Sequence, residues 1–214
     1  KNVYVASPND NATTVFSRDA STGLLTWIES QNTNTLASLL GVITLATSPD
    51  GKNVYAVTGR TSGLVVFTRS SSDGRLTYAQ NFKDNISDVP GITNALGQGF
   101  SPTASAIKNV CVSNDGSFFY ISSSADSAVM VFSRNTGTGL LAPSAVVSNG
   151  VGGVAGITGA SSLVLSPDNR FLYVSGQTAN SVAVFSRNAG TGALTYIDKV
   201  SQGDPGITSL SGAR

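Results

Sequence analysis

LVLSPDNRFLYVSGQTANSVAVFSR, residues Leu163–Arg187, reads as strand, tight turn, strand, short loop, strand. The same sentence recurs in altered words as ATSPDGKNVYAVTGRTSGLVVFTR (Ala46–Arg69) and VCVSNDGSFFYISSSADSAVMVFSR (Val110–Arg134). A third copy, KNVYVASPNDNATTVFSR (Lys1–Arg18), lacks its front. Three landmarks measure the period. The strand tyrosines Tyr4, Tyr55, Tyr120 and Tyr173 are spaced by 51, 65 and 53 residues. Phe16, Phe67, Phe132 and Phe185 repeat those spacings, as do the turn glycines Gly23, Gly74, Gly139 and Gly192. The segment from tyrosine to turn glycine is therefore rigid in length. The variation lies after it, and the extra residues of the second repeat fall within about Asn94–Lys108.

Self-similarity at about 50 residues, strand-like throughout, signals propeller blades or a β-solenoid. Four short antiparallel strands per unit with tight turns favour the blade. LVL, FLYV and VAVF are nearly continuous apolar runs, which suits strands covered on both faces, as in a blade sandwiched between neighbours. The expected fold is all-β: a propeller of four units, at about 1–40, 41–106, 107–159 and 160–214, forming one array. The first unit lacks its first strand, which gives 15 strands and an expectation that this is part of a larger ring.

The turns have a mechanism. In Ser48-Pro49-Asp50-Gly51 proline presets φ, aspartate bonds nearby backbone and glycine takes positive φ. Ser113–Gly116 and Ser166–Asn169 are its counterparts, with Asn169 replacing glycine at positive φ.

Composition narrows function. Net charge is +1 and 12% of residues are charged, with no basic stripe, which argues against nucleic acid. No segment is apolar and long enough for a transmembrane helix. Glutamate occurs once and small polar residues abound, a pattern of extracellular or cell-surface β proteins, with a periplasmic site as the variant.

At SPDGKNVY (Ser48–Tyr55), SPDNRFLYV (Ser166–Val174), VFSRDASTGLLT (Val15–Thr26), VFSRNTGTGLL (Val131–Leu141) and VFSRNAGTGALT (Val184–Thr195) the chain resembles the YVTN-type, lactonase-like seven-bladed propeller family. The resemblance implies that the first strand of each unit lines a central channel and the fourth lies outermost. It also implies that the second-to-third and fourth-to-first connections share one ligand-binding face. Family members with lactonase activity use histidine, arginine and acidic side chains near the channel. This chain has no histidine, so no catalytic residue is carried over.

The remaining candidates are loop and turn residues. Gly150–Ala155 fits a dinucleotide-binding pattern in letters, but it joins two units and precedes no helix, so it reads as a turn. Cys111, between two valines of a first strand, reads as a packed thiol without a base. Arg18, Arg69, Arg134 and Arg187 recur in register and read as ties between the third strand and its turn. Loops on rigid scaffolds carry function, so the long connection 83–108 is the expected contact surface, with Asp84, Asn85, Asp88 and Phe100 as its binding candidates. Asp84 and Asp88, with nearby oxygens, are a weak calcium site. Asn11 and Asn85 head N-glycosylation triplets.

The leading expectation is a non-enzymatic propeller for binding, adhesion or assembly, with a protein or glycan as partner and further blades from the parent chain or another copy. The first alternative is a lactonase-like hydrolase whose site is completed by blades outside this chain. The second is a glycan-binding propeller, from Trp27, Tyr78, Pro143 and Tyr196, which share one position in the fourth strands.

Overall fold

The structure is a computed structural model that describes residues 1–59, 63–82 and 107–214, with only the backbone at 107 and 108. The binding and calcium candidates Asp84, Asn85, Asp88 and Phe100 lie outside the described residues, as does the glycosylation triplet at Asn85.

Among the described residues fifteen strands form four antiparallel sheets, each in plain meander order. The first blade holds β1 (Asn2–Ser7), β2 (Ala12–Arg18) and β3 (Leu25–Asn32). The second holds β4 (Val42–Thr47), β5 (Asn53–Thr58), β6 (Gly63–Arg69) and β7 (Leu76–Phe82). The third holds β8 (Ile107–Val112), β9 (Phe118–Ser123), β10 (Ala128–Arg134) and β11 (Leu141–Ser148). The fourth holds β12 (Ala160–Leu165), β13 (Phe171–Gly176), β14 (Ser181–Arg187) and β15 (Leu194–Ser201). A short 3-10 turn at Ala37–Leu39 interrupts what the sequence offers as a polar loop, and it buries Leu39 between the first two blades.

The cores lie between blades. One cluster joins Tyr55, Val57, Leu64 and Val66 of the second blade to Phe119, Ile121, Met130 and Phe132 of the third. Another joins Tyr120, Val129 and Val131 to Leu172, Val174, Ala183 and Phe185. Burying such a side chain stabilises by about 1.5–3 kcal/mol, so each interface of this kind is a large share of the fold's stability. Two-sided burial explains why β5 and β9 are buried at every position. β13 reads the same in sequence but alternates, because the described chain covers only one of its faces. The fourth strands are mostly half-buried or exposed: Trp27 is 62% accessible.

Bulges recur at fixed places. The third and fourth strands slip register between Val15 and Phe16, Val66 and Phe67, Val131 and Phe132, and Val184 and Phe185. The innermost strands slip between Val42 and Thr44, Ile107 and Asn109, and Ala160 and Ser162. A bulge adds local twist, and its repetition bends every blade in the same way.

Candidate functional site

The strand turns divide the molecule into two rims. One carries the Ser-Pro-Asp-Gly turns and the Gly23-type hairpins. The other carries the second-to-third and fourth-to-first connections.

The first rim is a structural seam. In Ser48–Gly51 the glycine takes φ +67°, its amide bonds Ser48 O at 2.9 Å, and Asp50 accepts from Ser48 Oγ. Asn169 takes φ +66° at the equivalent place. In the second, third and fourth blades the third strand then ends in an arginine that closes onto its own turn and reaches the preceding blade. Arg134 Nη1 donates to Gly116 O at 2.9 Å, Nε to Tyr55 OH at 2.6 Å, and Nη2 to Asn53 Oδ1 at 2.7 Å and Asp50 Oδ2 at 2.9 Å. The Tyr55 hydroxyl passes the chain on to Gly139 O at 3.1 Å. Gly139 sits at φ +79° against the Asn53 side chain, where a Cβ would clash at 2.0 Å. Gly74 packs in the same way against Asn2, and Gly192 against Phe118.

Arg69 repeats the pattern on Tyr4 and Asn2, and Arg187 repeats it on Tyr120 and Asp115. At the third junction Phe118 replaces asparagine, and Arg187 lies over its ring at 5.3 Å. Burial pushes the Tyr120 hydroxyl up to about 12 against the opposing pull of Arg187. Burial alone would raise Asp50, but the Ser48 hydroxyl, the Lys52 amide and the Arg134 guanidinium hold it at about 2. These arginines are occupied, so the seam offers no anion site at these three positions.

The second rim is polar and faces the inner strands. Its loops are joined by side chains at positive-φ corners. Asn11 at φ +52° accepts from Gly41 N at 2.7 Å, Ser127 Oγ accepts from Gly159 N at 3.1 Å, and Asn180 Oδ1 accepts from Gly212 N at 2.7 Å. The glycosylation candidate Asn11 is thus a half-buried corner residue. Below the corners the bulged inner strands present Thr44, Asn109 and Ser162 at one register position. Asn109 Nδ2 donates to Ser162 Oγ at 3.4 Å, so this layer is continuous across two blades. Asp126 sits in the β9–β10 loop bonded to Ser123. Gln177, with its carboxamide oxygen facing the guanidinium, accepts from Arg214 Nη2 at 2.8 Å and Nε at 3.1 Å.

Other candidates resolve as local structure. Gly150, Gly152, Gly153 and Gly156 all take positive φ in a turn between blades. Burial pushes the Cys111 thiol up to about 12, so it is no nucleophile at neutral pH. Trp27, Tyr78 and Tyr196 stand on separate outer strands, and Trp27 and Tyr78 bond within their own strands to Ser30 and Asn81. Among the described residues no group of three acidic, histidine or cysteine side chains is placed to hold a metal. None of their helices is long and apolar enough to cross a membrane.

Comparison with known proteins follows this geometry. Residues 102–205 match the family of seven-bladed β-propeller lactonases. Over those residues the chain resembles that family, and its described strands form propeller-type blades. A protein of Bacteroides uniformis ATCC 8492, provisionally named a 6-phosphogluconolactonase, superposes with a TM-score of 0.71 at 18% identity, over 94% of this chain and 52% of its own. A Lactobacillus plantarum protein gives 0.70 at 20% identity over 94% and 54%. A Bacteroides fragilis NCTC 9343 protein, also provisionally named a 6-phosphogluconolactonase, gives 0.62 at 17% over 93% and 54%. The chain thus spans about half the length of these three structures. No curated protein sequence matches.

These findings correct one expectation. The sequence favours a non-enzymatic binding or assembly propeller because it contains no catalytic constellation. The family match is to lactonases, and two of the similar structures carry lactonase names, so the hydrolase alternative is the better supported reading. The physical reason for the error is that blade repeats encode turns and core, whereas catalytic groups on a propeller come one at a time from different loops.

Proposed function

We propose that these four blades belong to a lactonase-like hydrolase whose active site lies on the corner-joined rim and is completed by blades beyond this chain. The observation that carries the reading is the match of residues 102–205 to the lactonase propeller family. The polar layer of Thr44, Asn109 and Ser162 beneath that rim supports it.

Opening a lactone needs a base to activate water and a donor to hold the developing oxyanion. With no histidine here, the base is a carboxylate or comes from another blade. Among the described residues Asp10, Asp126 and Asp204 are acids on the connections of this rim, and Arg214, bonded to Gln177 of the β13–β14 loop, is a donor on it. The polar, low-charge composition supports a site of action outside the cytoplasm.

The test is turnover of aldonolactones, including phosphorylated ones, by protein containing the whole ring, with spontaneous opening subtracted. Turnover that falls when Asp126→Asn is introduced supports the reading. A complete ring with no turnover on any sugar lactone overturns it.

A further inference from the structure

The outer ends of the blade junctions differ, and the difference exposes a site. At the first junction Leu76 N donates to Glu29 Oε1 at 2.7 Å, and Leu76 O accepts from Gln31 Nε2 at 3.2 Å. At the second junction one carboxamide performs both tasks. Leu141 N donates to Gln80 Oε1 at 2.9 Å, and Gln80 Nε2 donates to Leu141 O at 3.0 Å. Register places the equivalent positions of the third junction without ambiguity. Glu29 pairs with Val15, Gln80 with Val66, and Ala145 with Val131. Gln31 pairs with Thr13, Phe82 with Leu64, and Val147 with Val129. Neither Ala145 nor Val147 carries a polar atom.

Leu194 is the counterpart of Leu76 and Leu141, each opposite the arginine that ends its third strand. Asn188 N bonds Ala193 O at 2.9 Å one step earlier. The Arg187–Leu194 pair is therefore a non-hydrogen-bonded one, and the Leu194 amide and carbonyl turn away from β14. Leu194 itself lines a cleft. Its cavity volume is about 300 Å³, and Val146, Val147, Val151, Val154, Leu194 and Tyr196 supply most of its wall. Ser148 also lines it, 7% exposed, and its Oγ has no hydrogen-bond partner.

We propose that this cleft binds a small molecule bearing a primary carboxamide on an apolar body. The amide takes the place of the missing Gln80-type side chain: its oxygen accepts from Leu194 N, its NH2 donates to Leu194 O, and the body fills the valine-lined space. The molecule itself supplies the template, because the same donor–acceptor pair holds a carboxamide one blade earlier. A carboxylate lacks the donor for Leu194 O, and a tertiary amide lacks it as well. Leu194 is half-buried, and a carbonyl that loses its water without gaining a donor costs more than a made bond gains, so the primary amide is selected.

Benzamide titrated into the whole chain, followed at the Leu194 amide by NMR, tests this. A saturable shift is expected, with N,N-dimethylbenzamide weaker by about tenfold, the equivalent of one lost hydrogen bond. Ala145→Gln should refill the cleft from within and abolish the shift. Gln80→Ala should open a second cleft and create benzamide binding at the Leu141 amide. The wild-type comparison of the two amides stands even if either variant fails to fold. Equal binding of both amides, binding that survives Ala145→Gln in folded protein, or no saturable shift at Leu194 would each overturn the assignment.

Discussion

The second and third blade junctions are built on one plan and finished differently. At the second, Arg134 meets three polar partners, Tyr55, Asn53 and Asp50, and Gln80 seals the outer end. At the third, Arg187 keeps Tyr120 and Asp115, an aromatic ring replaces the asparagine, and Ala145 leaves the outer end open. The arginine-to-tyrosine bond is the constant, and what surrounds it varies. The repeat thus fixes a backbone frame and one polar tie, while each junction is free to be tight or to hold a cleft.

The largest effect that would break this comparison is removal of the tie. Arg134→Ala leaves the buried Tyr55 and Asn53 facing an empty space and removes the ion pair of the exposed Asp50, and about 3 kcal/mol of stability should be lost, read from urea unfolding. Arg134→Lys should recover little, because a single ammonium cannot copy the fork. Arg187→Lys should recover more, because the Phe118 face and Asp115 both accept a point charge. Equal rescue at the two sites would mean that the surroundings are irrelevant.

Tyrosine hydroxyls give the next test. Tyr55→Phe removes bonds to Arg134 and Gly139 and should cost about 1–2 kcal/mol. Tyr173 is 37% exposed, and Tyr173→Phe should change the unfolding free energy read from urea by less than about 0.5 kcal/mol. A matching loss at both would show that the strand tyrosine acts within its own blade rather than across the junction.

Acid sharpens the comparison further. Asp50 is held at about 2 in the fold against an ordinary 3.8. Its folded-state value is depressed, so its contribution is present above pH 4 and is lost as pH falls toward 2. The carboxylate is partly in solvent, which limits the effect to about 1 kcal/mol. Asp50→Asn should flatten that part of the acid-unfolding curve. The smallest effect is chemical: the Cys111 thiol, raised to about 12 by burial, should resist a neutral thiol reagent at pH 8 until the chain unfolds.

Much of this was legible in the residues. The landmark spacing counted four units, placed fifteen strands and assigned the turns, because a turn needs particular residue types at particular steps. The arginines were recognisable as repeat features, but their bonds to the preceding blade were not. Nothing in VFSR says which tyrosine, some 67 or 79 residues away, will receive the guanidinium. Two-sided burial is visible where both neighbouring blades are described: FFYI in β9 is buried throughout, whereas FLYV in β13 has one described neighbour.

The sequence by itself determined the blade, its turns and its repeat length, since these depend on local backbone geometry and on apolar runs. Only the tertiary structure decided where Asn53 sits against Gly139, how Arg69, Arg134 and Arg187 bridge two blades, and that Ala145 stands where Gln80 gives Leu141 its side-chain partner. Those outcomes depend on contacts between residues far apart in the chain, and a one-letter difference at an outer strand acquires meaning only when the neighbouring blade is set beside it.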